Sequence, residues 1–173
     1  MLNHHFVEIQ APHEKIFEQV ILWGESSWWP DESPMKYSRE EKGEIKVGTI
    51  FHQKVHRPFA PEWDVEVTSI TPGREVSRKF INGMFKGTDK VYIIPNRGFN
   101  EVHFLMDYEI VGNLNRILWA RIYRRMHDDN IKLILRSLKA SLEGVEVSKQ
   151  EEDRLSPEEQ DRRRFFKSLI RRH

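Results

Sequence analysis

The chain has 173 residues, enough for one domain with a substantial core and too few for two comfortable ones. Its 28 basic and 27 acidic residues leave a formal charge of +1, so no global field would draw it to nucleic acid. It contains no cysteine, which excludes disulfides, thiolate metal sites and a cysteine nucleophile.

The opening MLNHHFVEIQAPHEK has neither the basic start nor the apolar centre of a signal peptide. No apolar run reaches the length needed to cross a bilayer, and a cytoplasmic protein is expected. Residues 3–10 alternate, with His5, Val7 and Ile9 on one face and Phe6 and Glu8 on the other, which predicts a first strand. Pro12 opens a helix carrying Ile16, Phe17, Val20, Ile21 and Trp23, closed by Gly24. The segment from Glu25 to Pro34, with Trp28-Trp29-Pro30, is expected to form a second short helix or a turn.

From Met35 the pattern becomes short runs separated by turn chemistry. Strands are predicted at Met35–Glu41, at Thr49–Arg57 with Phe51, Gln53 and Val55 in phase, and around Trp63, Val65 and Val67. Pro72-Gly73 marks a turn, and the next strand covers Glu75–Ile81. Asn82-Gly83 is hairpin chemistry, and Gly87–Ile94 follows as a strand. The longest alternation is Val102, Phe104, Met106, Tyr108 and Ile110 against His103, Asp107 and Glu109, which predicts one dry face and one wet face.

Asn113–Glu143 has no proline or glycine and places Ile131, Ile134, Leu135, Leu138 and Leu142 on one stripe at helical period. At 1.5 Å per residue it would reach roughly 45 Å. Asp128-Asp129-Asn130 interrupts the stripe and is expected to bend the helix or start a second one, and Gly144 ends it. Strands in hairpin succession with helices segregated to one face define an α+β protein with a seven-stranded antiparallel sheet and a long C-terminal helix.

Several pieces in this order resemble the START-like, or SRPBCC, superfamily, in particular its polyketide cyclase/dehydrase and lipid-transport branch. They are Ala11-Pro12-His13-Glu14-Lys15-Ile16-Phe17 after the first strand, Trp28-Trp29-Pro30, and Gly48 before a strand. The strand and turn from Trp63 to Pro72-Gly73 and the ending Leu135–Glu143 complete the likeness, which covers residues 3–143. The resemblance implies a helix-grip fold, a curved sheet around the long helix, with a hydrophobic cavity between them. It implies no single activity and no catalytic motif.

The inward faces then supply the candidate ligand-binding residues. They are Phe51, Gln53, Val55, Trp63, Val65, Val67, Arg78, Phe80, Phe104, Met106 and Tyr108 from the strands, with Tyr123, His127, Ile131 and Ile134 from the helix. Most of the aliphatic members suit an ordinary core. A buried Arg78 or Gln53 needs a partner, which for Arg78 is either an acid at the sheet rim or a ligand. His52 and His56 lie about 13 Å apart along an extended strand, too far to chelate one ion, and His4 and His5 point to opposite faces. No metal and no cofactor is expected. His127 with Tyr108 or Tyr123 is the one acid-base set that could face a cavity.

Residues 1–144 are thus expected to form the ligand-binding domain, 145–156 a polar linker and 157–173 a basic amphipathic helix. Ser156-Pro157-Glu158-Glu159 is a capping box. Phe165, Phe166, Leu169 and Ile170 form an apolar stripe among the basic residues Arg162–Arg172. Such a helix suits docking on its own domain, a partner or an anionic membrane. The expected function is binding, transport or sensing of a small hydrophobic, lipid- or polyketide-like molecule. The alternative is a cyclase, aromatase or dehydratase acting on a polyketide-like substrate in the same cavity. Nothing in the sequence specifies an oligomeric state.

Overall fold

The computed structural model describes residues 1–39, 41–56 and 60–144. The predicted linker and C-terminal helix, including Arg162–Arg172, lie outside the described residues. Seven strands are present: β1 (Leu2–Ile9), β2 (Met35–Ser38), β3 (Ile50–Val55), β4 (Glu62–Thr71), β5 (Glu75–Phe80), β6 (Phe85–Pro95) and β7 (Asn100–Ile110). They form one antiparallel sheet in the order β1-β7-β6-β5-β4-β3-β2. After β1 the chain passes through helix α1 (His13–Ile21) to the far edge, then returns as a meander that ends beside β1. The segment 25–34 makes turns rather than a short helix. Ser137 of the long helix donates to the Trp28 carbonyl and ties these turns down.

The long helix runs from Asn113 to Glu143 in three parts: α2 (Asn113–Leu118), a π-helical turn (Trp119–Tyr123) and α3 (Arg124–Glu143). The predicted irregularity is therefore real but misplaced, since α3 continues through Asp128-Asp129-Asn130 without a break. Asp128 accepts a hydrogen bond from the Asn3 amide of β1, so the first residue of this polar run is tied to the sheet. In an ideal α-helix Trp119 and His127, eight positions apart, would point about 80° apart. A widened turn narrows that angle and brings Trp119 onto the sheet, where its indole donates to the Tyr108 hydroxyl at 3.0 Å.

Gly24 and Gly87 permit close packing. Gly24 has φ +89°, and a Cβ there would overlap the Tyr37 ring. Gly87, at φ +132°, lies against the backbone of Asp107 and Tyr108, so β6 can pass close to β7. The outer face of β7 is not uniformly wet. His103 is buried there beneath stacked His4, Phe6 and Tyr92, with hydrogen bonds of 2.9 Å to His4 and to Glu101. Aromatic neighbours on β1 and β6, rather than the core, cover it. The sheet's inner face and the helices otherwise enclose one continuous apolar core.

Candidate functional site

Strand register sets one polar row into this core. Val67 of β4 faces Arg78 of β5, Arg78 faces Asp89 of β6, Asp89 faces Met106 of β7, and Met106 faces Asn3 of β1. Arg78 is 3% exposed and Asp89 5%, and the guanidinium Nε donates to Asp89 at 2.6 Å. Burial works against the Arg78 charge, but Asp89 outweighs it, and the guanidinium is held more firmly protonated than usual. The ion pair therefore belongs to the interior, not to the sheet rim. Tyr37 of β2 lies near enough for the charges of both partners to act on it. The residue as a whole is half-buried, but its hydroxyl is enclosed, and burial pushes the phenol up to about 12.

Two small cavities lie between the sheet and the Trp119–Ile131 part of the long helix, the outer against β2–β4 and the inner reaching across to β5–β7. The outer one, about 30 Å3 and partly open, is lined by Pro34, Met35, Val55, Pro61, Trp63, Trp119, Tyr123, Met126, His127 and Asn130. The inner one, about 10 Å3, is lined by Met35, Tyr37, Gln53, Trp63, Phe80, Asp89, Phe104, Met106, His127 and Ile131. Met35, Trp63 and His127 line both. A single water needs about 10–15 Å3 on this measure, and drug-sized ligands occupy about 300–1,000 Å3. The large cavity implied by the family resemblance is thus filled in this structure. Trp23 stacks on Phe104, and Phe85 packs edge-on against Trp63, Tyr108 and Trp119.

Residues of the cavity walls carry buried polar atoms with no hydrogen-bond partner: Gln53 Nε2, Trp63 Nε1, His127 Nδ1, and both amide atoms of Asn130. Each such atom costs about 1–3 kcal/mol when left dry. His127 Nδ1 lies 3.8 Å from Asp128, beyond hydrogen-bond reach. Burial alone would raise the Asp128 carboxyl, but the neighbouring His127, Asn3 and His5 outweigh it and hold it down to about 2. Burial, aided by Lys132 and His127, lowers His5 below its usual value despite Asp128 at 3.4 Å.

Of the residues expected to face a ligand, Val55, Trp63, Tyr123 and His127 line the outer cavity, and Gln53, Trp63, Phe80, Phe104, Met106, His127 and Ile131 line the inner one. Phe51, Val65, Val67, Arg78, Tyr108 and Ile134 line neither and belong to the packed interior. Of the acid-base set, His127 and Tyr123 meet at the outer cavity, whereas Tyr108 is engaged by Trp119. Sequence reasoning missed Met35, Tyr37, Asp89, Trp119, Met126 and Asn130. Asp89 was open to it, because Asp89, Val91 and Ile93 share one strand face. Among the described residues no cluster of His, Asp and Glu is arranged to hold a metal ion, and no helix is long and apolar enough to cross a membrane.

No protein-family model matches the sequence, and no curated protein matches it. Solved structures do share its fold. A protein from Thermus thermophilus, TTHA0849, superposes with a TM-score of 0.66 at 13% identity, over 83% of this chain and 98% of its own. The Aha1 dimer from Colwellia psychrerythraea gives 0.58 at 18% identity, over 84% and 98%. Major latex-like protein 151 from Panax ginseng gives 0.60 at 13% identity, over 82% and 97%. The fold is the START-like, or SRPBCC, helix-grip fold: a curved seven-stranded antiparallel sheet closed by a long C-terminal helix. At these identities the likeness is one of fold.

Proposed function

We propose that the protein binds a small, mostly apolar molecule between β2–β4 and the Trp119–Ile131 part of the long helix. The observation that carries this reading is the pair of adjoining cavities, which share Met35, Trp63 and His127 and have unpaired buried polar atoms in their walls. Orphaned donors beside unfilled space are costly in a resting core, and a bound molecule would repay them. Entry requires the space to widen. The unbranched side chains of Met35 and Met126 can move aside most readily. The π-helical turn, a feature frequent at functional sites, forms the adjoining wall. Affinity would come mainly from apolar burial, at roughly 25 cal/mol per Å2.

Val55 tests this reading because it lines the outer cavity but is only half-buried, at the end of β3. Phenylnaphthylamine, a neutral probe that fluoresces in apolar surroundings, is expected to be taken up by the full-length protein. Val55→Trp should abolish uptake while shifting stability by less than about 1 kcal/mol, as befits a site with room beside it. Equal uptake by both proteins would place the probe elsewhere and remove the support for this pocket.

A further inference from the structure

We infer that the pocket selects a ligand whose leading end is uncharged and accepts a hydrogen bond, a hydroxyl or carbonyl group on an apolar body, and that Gln53 receives it. This rests on the pocket proposed above and adds the chemistry of its inner end. Gln53 is 2% exposed, faces the inner cavity from β3, and its Nε2 has no partner. A buried amide N–H left without a partner at the cavity wall calls for an acceptor.

Charge decides which acceptor. Arg78 Nη2 is also buried without a partner and would by itself favour an anion. Of the buried ion pair, however, only Asp89 lines the cavity, and its charge already neutralises the guanidinium at 2.6 Å. A carboxylate or phosphate would enter beside Asp89, lose its hydration and gain no unmatched cation. Tyr37, also on the cavity wall, keeps its proton at neutral pH and so adds no charge. A hydroxyl or carbonyl meets the Gln53 donor without that penalty.

The test compares two bodies of like shape with different heads, acetylnaphthalene and naphthoate, titrated calorimetrically into the full chain at pH 7.5. The ketone should bind at least tenfold more tightly than the carboxylate. Gln53→Leu should lose at least tenfold in ketone affinity while the ligand-free protein melts no lower than the parent, because the substitution removes an unsatisfied group. Naphthoate binding as tightly as the ketone would overturn the inference and leave the pocket standing. So would unchanged ketone affinity in Gln53→Leu, or uptake of phenylnaphthylamine without the ketone. If none of the three probes binds, the pocket itself fails, and this inference with it.

Discussion

The two ends of the helix–sheet interface are built differently. Toward the C-terminal end of α3, Leu135 and Leu138 belong to an aliphatic core with Ile9, Ile16, Val20, Val91, Ile93 and Val102, all nearly or wholly out of solvent. The same end is pinned to the chain start by Lys139 donating to the Glu8 carbonyl and by Glu143 accepting from the Gln10 backbone. Toward the Trp119 end, aromatic and methionine side chains surround residual space, and Gln53, His127 and Asn130 carry unpaired polar atoms. One end is packed for stability. The other combines unpaired polar groups with unfilled space, which is why function is assigned there.

Breaking the buried pair should produce the largest effect. Asp89→Ala strands the Arg78 guanidinium in the interior and should cost about 3–5 kcal/mol in urea unfolding. A loss below about 1 kcal/mol would mean that Arg78 reaches water and that the pair is not interior. The packed end supplies the contrast. Leu138→Ala, at a fully buried position, should cost about 2–5 kcal/mol and leave phenylnaphthylamine affinity unchanged. Weakened probe binding in that variant would show that the two ends are not separable.

A smaller effect should appear in acid. The Asp128 carboxyl is depressed from 3.8 to about 2, so it binds fewer protons in the folded than in the unfolded state between those values. Its contribution is fully present above 3.8 and is lost as pH falls through about 2. The stability gap between the parent and Asp128→Asn should therefore close on acidification from pH 4 toward pH 2 in thermal melts. A gap that stays constant down to pH 2 would remove Asp128 as the acid-sensitive tie between α3 and β1.

The sheet was legible in the sequence because strand periodicity survives in the side chains. Val102, Phe104, Met106, Tyr108 and Ile110 hold one buried face, and Asn82-Gly83 and Pro72-Gly73 mark turns where the meander reverses. What escaped were long-range relations. Asp128-Asp129-Asn130 looked like a break because the partners Asn3 and His5 lie more than 120 residues away in sequence. The π-helical turn is a change of backbone hydrogen bonding that leaves no distinct side-chain spacing. His103 looked solvent-facing because its cover comes from β1 and β6. For the site, parity correctly turned Gln53 and Arg78 inward, but only strand register shows that Arg78 faces Asp89.

Amide hydrogen exchange of the full chain, with and without saturating phenylnaphthylamine, tests the central claim most directly. The account predicts added protection at residues 34–37, 61–63 and 119–131, with residues 135–142 unchanged. Protection spread evenly along the long helix, or confined to its C-terminal half, would contradict it.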